Sequence, residues 1–270
     1  MSGTAPLVGD GGVAHRLAGT RFGPVQWFDS IDSTNRYAAD AVRSAGNSGT
    51  SDAAGGLVVV ADEQHAGRGR LGRTFVAPSG ASLLASVVVP VAVPRDSLGL
   101  VTPVSSLAAA DAVHALAGID ARLKWPNDLV VDDRKLAGVL AEVIGPSTVV
   151  VGMGLNVRWP EFPPELASIA TSCNLLSPVA VDRADLLVEW LTRYDALLAQ
   201  MTTRAGRAAL RDACAARCAT LGHRVRVELS DRTFEGAATD LLPDGTLEVT
   251  RDGGRREIVA AGDVVHLRSA

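Results

Sequence analysis

The sequence contains little cysteine, little lysine and no long uninterrupted apolar run. Its three cysteines, Cys173, Cys214 and Cys218, are too few for a disulfide framework. Cys214 and Cys218 lie in an alanine-rich stretch that is typical of a helix, at a spacing that puts them on one helix face. Such a pair could hold a metal ion, but no cluster of His or Cys partners follows it. The pattern therefore favours buried thiols without a chemical role.

The absence of a long apolar run bears on the location of the protein. No stretch of about 18 apolar residues occurs, which argues against a membrane-spanning helix. The N-terminus also lacks the basic start and apolar segment of a secretory signal. With 270 residues, 47% of them hydrophobic and 21% charged, the chain can bury a sizeable core. We expect a soluble, cytoplasmic protein that does not associate with membranes.

Basic residues are outnumbered, and nearly all of them are arginine. The chain has 26 Lys and Arg against 30 Asp and Glu, a net charge of −4. This charge argues against DNA binding, because binding to a duplex depends on neutralising its phosphates. Lys124 and Lys135 are its two lysines. Coding bias accounts for the excess of arginine. Where lysine nevertheless occurs in such a chain, it can mark a position that needs a compact ammonium.

Hydrophobic patterns predict an α+β chain with two domains. They predict strands at 57–61, 81–89, 122–131, 135–144 and 148–157, and helices at 34–43, 97–117, 182–201 and 203–217. We expect residues 1–22 to be loosely held and the small, polar stretch 44–56 to be a flexible loop. From residue 224 onward, five short alternating strands with tight turns predict a small β-barrel. The predicted domains are 1–218 and 219–270.

The most densely charged loop is GRGRLGR, residues 67–73. It matches the glycine pattern of a dinucleotide-binding loop, but a proline and a further glycine follow where that loop requires a helix. Glycines allow the backbone to approach a ligand closely, and arginines offer paired donors to phosphate or carboxylate. We interpret the loop as an anion clamp whose charge comes from Arg68, Arg70 and Arg73. A solvated basic loop is the alternative.

A second candidate site is LKWPNDLVVDDRKLAGVL, residues 123–140. Pro126 interrupts the strand, so Asn127 and Asp128 are presented at its end. Asp128 could hold Mg²⁺ through oxygen, and Asn127 could hydrogen-bond a base or a ribose. An ordinary Asn-Asp turn is the alternative. Lys135 leads into an apolar strand, and we expect its ammonium to point into a cleft.

Glycine and neutral polar residues mark two further candidate positions. Gly152 and Gly154 weaken a β-branched run unless a ligand ring approaches its backbone or the strand is bulged. The run ends at Asn156, a second amide at a strand end. Near the N-terminus, hydroxyl and amide groups cluster at the start of a predicted helix. These groups could bind a ligand, and a plain N-cap is the alternative. The residues are Ser33, Thr34 and Asn35, with Gln64 just before the clamp loop.

Taken together, these motifs resemble those of biotin protein ligases. The resemblance is carried, in this order, by DSTN (32–35), EQxAGRGRxGR (63–73), KWPNDL (124–129), RKLAGVL (134–140) and GxGLNV (152–157). It covers residues 25–160 strongly, and the C-terminal strands are similar to the SH3-like domain of the family. The resemblance implies a catalytic fold like that of class II aminoacyl-tRNA synthetases, with a mixed sheet flanked by helices.

The resemblance also implies the reaction and its residues. Biotin attacks ATP, with Mg²⁺, to give biotinyl-5′-AMP and pyrophosphate, and a lysine of the biotin carboxyl carrier protein or domain of an acyl-CoA carboxylase then accepts the biotin. The implied catalytic residues are Lys135, Arg68 and Arg70. The implied biotin-binding residues are Ser33, Thr34, Asn35, Gln64, Gly67, Arg68, Gly69, Arg70, Lys135, Gly152, Gly154 and Leu155. The implied ATP-binding residues are Arg70, Arg73, Phe75, Lys124, Asn127, Asp128 and Asn156, with Asp128 as the candidate Mg²⁺ ligand.

Two features depart from the family pattern. An aromatic residue is expected just after the arginines to cover the adenylate, and Phe75 would have to take this role. Some members carry an N-terminal helix-turn-helix and act as repressors, but the stretch before residue 25 is too short for that module. We therefore expect a monofunctional ligase without specific DNA binding. A lipoate–protein ligase and a non-catalytic biotin-binding regulatory protein are the alternatives.

Overall fold

The computed structural model describes residues 12–47, 54–91, 93–145, 148–260 and 262–266. Its helices are α1 (Val13–Arg16), α2 (Thr34–Asn47), α3 (Val101–Ala117), α4 (Pro164–Ala167), α5 (Cys173–Leu176), α6 (Arg183–Gln200) and α7 (Arg204–Ala216). Its strands are β1 (Val25–Ile31), β2 (Val58–Gln64), β3 (Ser82–Pro90), β4 (Arg122–Lys124), β5 (Asp128–Val131), β6 (Arg134–Ile144), β7 (Thr148–Asn156), β8 (Arg224–Glu228), β9 (Thr233–Leu241), β10 (Leu247–Thr250), β11 (Arg256–Val259) and β12 (Asp263–His266).

The first seven strands form one mixed sheet in the order β1-β2-β3-β7-β6-β5-β4. Strands β1 and β2 are parallel, since the chain returns through α2 between them, and the other neighbouring pairs are antiparallel. Helix α2 packs on one face, and α3 and α6 pack on the other. The predicted mixed sheet flanked by helices is therefore confirmed.

Strand β3 shows how this sheet is buried on both faces. Its residues Leu83 and Val87 join the core beneath α3 and α6, whereas Val88 joins the smaller core beneath α2. Because successive side chains point to opposite faces, a strand covered on both sides reads as a continuous apolar run. On the α2 face this strand also carries a polar residue, Ser86, which is fully buried.

The last five strands form a second, antiparallel sheet in the order β11-β10-β9-β8-β12. Their alternating pattern matches the burial, since Phe234, Gly236 and Ala238 of β9 are buried while Glu235 and Ala237 between them are exposed. The predicted series of five short strands is thus confirmed. Strand β12 lies at one edge of this sheet, next to the cleft described below.

The N-terminal segment is packed, which corrects the prediction that residues 1–22 are loosely held. Val13 and Leu17 are fully buried, and Phe22 is 4% exposed. The ring of Phe22 stacks on Tyr194 of α6 with 6.0 Å between centroids. The segment is rich in glycine and alanine, and this composition suggested loose packing although three of its apolar side chains reach the main core. Residues 1–11 lie outside the described part of the chain.

The predicted interruption of segment 122–131 at Pro126 is present, whereas one helix boundary differs from the prediction. Strands β4 and β5 are separated by a turn at Trp125–Asn127, and Pro126 has no N–H to donate to a ladder. Helix α2 continues to Asn47, beyond the predicted end at residue 43. Residues 48–53 of the predicted loop lie outside the described part of the chain.

The three thiols are buried and free, as their pattern indicated. Helix α7 ends at Ala216, so Cys218 lies beyond it, which corrects the prediction that Cys214 and Cys218 share a helix face. Burial raises the pKa of the Cys173 and Cys214 thiols to about 12. Within the described residues, no group of three or more His, Cys, Asp or Glu side chains is arranged to hold a metal.

The segment Arg95–Ala117 has the length and mean hydropathy, 1.3, of a membrane span. It contains α3, and its most apolar stretch of 18 residues is 67% buried inside the protein. Its apolar character is accounted for by its place in the core, between the first sheet and α6.

The packing of the N-terminal segment leads to a stability prediction. Leu17→Ala should lower the free energy of unfolding by about 2–5 kcal/mol, because it opens a cavity in a fully buried position. The neighbouring Arg16→Ala removes an exposed ion pair with Asp185 and should cost less than about 1 kcal/mol. Urea unfolding of both variants measures the difference, and equal small losses would mean that the segment is not part of the core.

Candidate active site

A cleft of about 340 Å³ lies at the junction of the two sheets. It is bordered by the start of α2, the loop after β2, the turn between β4 and β5, strands β6 and β7, and the edge strand β12. The structure brings most of the predicted site residues together around it: Ser33, Thr34, Asn35, Gln64, Arg68, Gly69, Arg70, Arg73, Phe75, Lys124, Asn127, Asp128, Lys135, Gly152 and Gly154. Their individual roles remain predictions.

The predicted clamp loop is a small hairpin, Gly67–Phe75, which we call the clamp. The Phe75 N–H donates to the Gly67 carbonyl at 3.1 Å, and the Gly69 N–H donates to the Arg73 carbonyl at 2.7 Å. Gly67 is required by this crossing, since a Cβ atom there would lie 2.3 Å from the Phe75 carbonyl oxygen. Gly67 therefore shapes the clamp and is not among the residues that line the cleft, while its assignment to biotin stays a prediction.

Each arginine of the clamp has its own partner. Arg68 forms an ion pair with Glu142 of β6 at 3.0 Å. Arg73 pairs with Asp263 at the start of β12. Arg70 donates to the Asn127 Oδ1 at 3.5 Å and to a carbonyl oxygen of the C-terminal domain at 3.4 Å. The clamp is thereby tied to both sheets.

Arg70 is the most enclosed of these cations. Burial lowers the pKa of its guanidinium from the ordinary value, and the carboxylates of Asp263 and Asp128 oppose this shift. A guanidinium remains protonated throughout the physiological range. A partly desolvated positive charge at this depth strengthens the attraction of the cleft for anions.

Lys135 enters the cleft from the first residues of β6. Its ammonium lies 2.7 Å from the Asp128 Oδ1 on the neighbouring strand. It folds back over Gly138, where a Cβ atom would lie 3.0 Å from the Lys135 Nζ. The glycine of the KLAGVL motif therefore leaves space for the lysine, and the expectation that Lys135 points into a cleft is confirmed.

The opposite end of the cleft is neutral and polar. The Thr34 N–H donates to the Gln64 Oε1 at 2.8 Å, and its hydroxyl lies 3.1 Å from the same oxygen. Ser86 reaches this group from β3, with its hydroxyl 2.7 Å from the Thr34 Oγ1 and 2.6 Å from the Asn35 Oδ1. Ser33, Thr34 and Asn35 are each 4% exposed or less. Buried groups of this kind must be hydrogen-bonded, either to each other or to a ligand.

Gly152 and Gly154 are needed because side chains lie directly on their backbone. A Cβ atom at position 152 would lie 2.1 Å from the Asn35 Oδ1. One at position 154 would lie 2.7 Å from the Phe75 Cζ. The predicted close approach is therefore real, and Phe75 stands on the part of β7 that we assigned to biotin.

Two predicted site residues on β7 do not reach the cleft. Leu155 is 1% exposed and belongs to the main core on the opposite face of the sheet. Asn156 is also buried, and its amide donates to the Thr171 carbonyl at 3.0 Å while its oxygen accepts from Ser82 at 3.2 Å. Strand alternation contained the signal for Leu155, since Gly152 and Gly154 share the face that it opposes.

Sequence reasoning missed two carboxylates and one hydroxyl that organise the cleft. Glu142 and Asp263 hold arginines of the clamp, and Ser86 connects Thr34 to Asn35. Their signal was weak: each is a single polar residue in an otherwise apolar strand or at a strand end. Their importance depends on which residues the fold places opposite them.

Asp128 and Asn127 offer oxygen donors for Mg²⁺ at the cleft. Mg²⁺ usually binds one or two protein carboxylates and takes its remaining ligands from substrate phosphates and water. The carboxylate of Asp128 beside a cationic cleft fits this pattern, with the amide oxygen of Asn127 next to it. The residues present therefore fit a Mg²⁺ ion that arrives with a nucleotide.

The contact between Gly152 and Asn35 leads to a prediction. Gly152→Ala should lower the free energy of unfolding by about 1–3 kcal/mol, because the Asn35 amide cannot move away without losing its hydrogen bonds. Gly46→Ala, at an exposed position of α2 with open space around it, should stabilise the protein by about 0.5–1 kcal/mol. Thermal unfolding measures both.

A double variant separates this contact from a general effect on β7. Asn35→Ala in the Gly152→Ala background removes the side chain that the new methyl group meets, so the further loss should be smaller than that of Asn35→Ala alone. Strict additivity of the two changes would contradict the contact.

Comparison with known proteins agrees with this arrangement. The Biotin/lipoate A/B protein ligase family model matches residues 27–156, and the Biotin protein ligase C terminal domain model matches residues 220–267. Biotin–[acetyl-CoA-carboxylase] ligase of Mycobacterium tuberculosis is 38% identical over 245 residues, which is 89% of either chain. The enzyme of the same name from Paracoccus denitrificans is 31% identical, over 77% of this chain and 89% of its own.

A solved structure extends the similarity to nearly the whole fold. Biotin protein ligase from Aquifex aeolicus in complex with biotin and ATP has a TM-score of 0.77 and 25% sequence identity. The match covers 92% of this chain and 100% of that one. Together with the two family models and the ordered motifs around the cleft, these matches show that the chain belongs to the biotin protein ligase family.

Proposed function

We propose that the protein is an ATP-dependent biotin–protein ligase. It activates biotin to biotinyl-5′-AMP and transfers the biotin to a lysine of the biotin carboxyl carrier protein or domain of an acyl-CoA carboxylase. The observation that carries this proposal is the composition of the cleft, which joins a neutral polar end, around Thr34 and Gln64, to a cationic end, around Arg68, Arg70 and Lys135. Biotin has a matching pair of ends, a neutral ureido ring and a carboxylate.

The first step joins two anions that repel each other. A carboxylate oxygen of biotin attacks the α-phosphorus of ATP, and the bond from that phosphorus to the bridging oxygen breaks as pyrophosphate leaves. Lys135 stands where the two groups would meet, and its ammonium neutralises charge on the reacting oxygens. Arg68 and Arg70 bring the anions together from the clamp.

The neutral end of the cleft recognises the ureido group. Ser33, Thr34 and Gln64 offer hydroxyl and amide groups with free hydrogen-bonding capacity. Asn35 differs from them, because its amide N–H groups already donate to the Leu140 carbonyl and to Glu142. A free lone pair on its Oδ1 is what Asn35 can still offer to biotin.

The nucleotide is proposed to lie at the cationic end, against Lys124, Asn127 and Arg73. Asp128 would hold Mg²⁺ there, and the ion would neutralise phosphate charge. Phe75 lies on Gly154 of β7, where we propose that it covers the biotin side of the mixed anhydride. We propose a cytoplasmic location, in line with the ATP that the reaction consumes.

The second step requires the adenylate to be kept from water. The ε-amine of the acceptor lysine attacks the anhydride carbonyl, an amide bond forms, and AMP leaves. The clamp lies over the cleft and is held by its ion pairs to Glu142 and Asp263. Its closure would exclude water while the carrier approaches.

Lipoate–protein ligase is the second candidate, since one family model covers both kinds of enzyme. The hydroxyl and amide groups at the inner end of the cleft favour a ureido ring over an apolar dithiolane. Release of pyrophosphate from ATP, measured with biotin and with lipoate in parallel, tests the choice. Release with lipoate alone would replace our proposal, and release with neither would favour a non-catalytic protein.

Lys135 provides the sharpest test of the chemistry. Lys135→Ala should slow biotin-dependent pyrophosphate release by roughly 10²–10³-fold while the fold is kept. Lys135→Arg should also be slow, because a planar fork does not replace a compact ammonium. Arg134→Ala, at the neighbouring residue without an assigned role, serves as the control. Wild-type rates in a folded Lys135→Ala variant would rule out this role.

Arg70 tests whether the clamp retains the adenylate. Arg70→Gly removes contacts to both sides of the cleft and a charge-assisted contact to the ligand, of the order of 1.5–3 kcal/mol. Biotinyl-5′-AMP should then escape and label exposed lysines of bystander proteins. Serum albumin incubated with biotin, ATP and either enzyme, then probed with streptavidin, measures the escape. Equal, negligible labelling by an adenylation-competent variant would show that Arg70 does not retain the intermediate.

A further inference from the structure

One carboxylate contacts both ends of the proposed biotin site. Glu142 lies on β6, the strand that also carries Lys135. Its Oε1 pairs with the Arg68 Nη1 at 3.0 Å, and its Oε2 accepts from the Asn35 Nδ2 at 2.8 Å. Its side chain is 25% exposed, so water screens these contacts only in part.

The contact with Asn35 fixes the orientation of a buried amide. Its Nδ2 faces two acceptors, the Leu140 carbonyl and Glu142, and its Oδ1 accepts from the Ser86 hydroxyl. An inverted amide would set its oxygen against both acceptors. Glu142 and the Leu140 carbonyl together therefore set which atom of Asn35 faces the polar end of the cleft, and Glu142 makes the shorter of the two contacts.

The same orientation is passed on through Ser86. Its hydroxyl has one proton and lies within hydrogen-bonding distance of both Asn35 and Thr34, and Thr34 in turn contacts Gln64. A fixed Asn35 therefore restricts the arrangement of Ser86, Thr34 and Gln64. Such a connected network holds a pocket in one arrangement when all its members are satisfied.

The contact with Arg68 ties the clamp to the first sheet. The other described ion pair of the clamp, between Arg73 and Asp263, reaches the C-terminal domain. Arg68 is half exposed, and without a carboxylate its long side chain would sample many rotamers in solvent. Glu142 leaves further donors of this guanidinium free for a ligand anion.

We propose that Glu142 is a positioning residue that links the ureido end of the site to the clamp. This inference rests on the proposed function for its substrate. Glu142 contacts no reacting atom; it sets Asn35 for the ureido group and Arg68 for the carboxylate. One side chain then contacts both parts of the site: Asn35 at the polar end that the ligand fills, and Arg68 in the clamp that closes over the ligand.

Two variants test the contacts of Glu142. Glu142→Ala removes both, and the KM for biotin should rise by roughly ten- to a hundredfold, as expected for the loss of one charge-assisted hydrogen bond. The kcat of pyrophosphate release should stay within about threefold, since Lys135 and Arg70 are untouched. Glu142→Gln keeps an acceptor without the charge and should give an intermediate KM.

Tryptic cleavage at the clamp provides a readout that does not depend on activity. Glu142→Ala should be cleaved at least about fivefold faster than wild type after Arg68, Arg70 and Arg73, as measured by mass spectrometry, because its clamp opens more often. Glu189→Ala is the matched control, since it breaks an Arg–carboxylate pair with Arg193 on α6. It should change neither the KM for biotin nor cleavage of the clamp.

The outcomes decide between the two proposals. A raised KM together with selective cleavage at the clamp supports the role of Glu142. Unchanged clamp cleavage in a folded Glu142→Ala variant overturns it, and so does uniformly faster cleavage along the chain, which indicates lost stability. If wild type releases no pyrophosphate, the proposed function fails, while the cleavage experiment still decides whether Glu142 holds the clamp.

Discussion

The organisation of the cleft depends on keeping several positive charges close together. Arginines of the clamp and two lysines surround a volume of about 340 Å³, and like charges at this spacing repel. Among the described residues, carboxylates offset this repulsion pair by pair: Glu142 with Arg68, Asp263 with Arg73 and Asp128 with Lys135. These ion pairs hold the cations in position, and the remaining N–H donors of the cations can bind the substrate anions.

This requirement explains why two sheets meet at the cleft. Strands β5 and β6 of the first sheet provide Asp128, Lys135 and Glu142, whereas Asp263 comes from the edge of the second sheet. Trp125 holds the sheets together at this point, because its indole N–H donates to the Gly245 carbonyl at 3.0 Å and its backbone N–H donates to Thr220 at 3.0 Å. The C-terminal sheet is thus part of the clamp's anchorage as well as a separate domain.

The sequence predicts the fold and the site best at positions where a residue type has a single physical explanation. The charged glycine-rich loop, the retained lysines and the glycines in a β-branched run all lie at the cleft. Other residues were harder to interpret, because their residue type has several uses. An amide at a strand end can bind a ligand or hydrogen-bond within the protein, and the amide of Asn156 donates to the Thr171 carbonyl. Leu17 and its neighbours looked loose because small residues surround them. Glu142 carried no local signal, since its meaning depends on Arg68 and Asn35, which are distant in sequence.

The most direct test of this account is a crystal structure of the protein with biotinyl-5′-AMP bound. We expect the Lys135 ammonium to leave Asp128 and contact the oxygens of the mixed anhydride. Glu142 should remain bonded to both Arg68 and Asn35 beneath the closed clamp. An adenylate that lies in the cleft while Lys135 stays on Asp128 and Glu142 contacts neither partner would contradict the account.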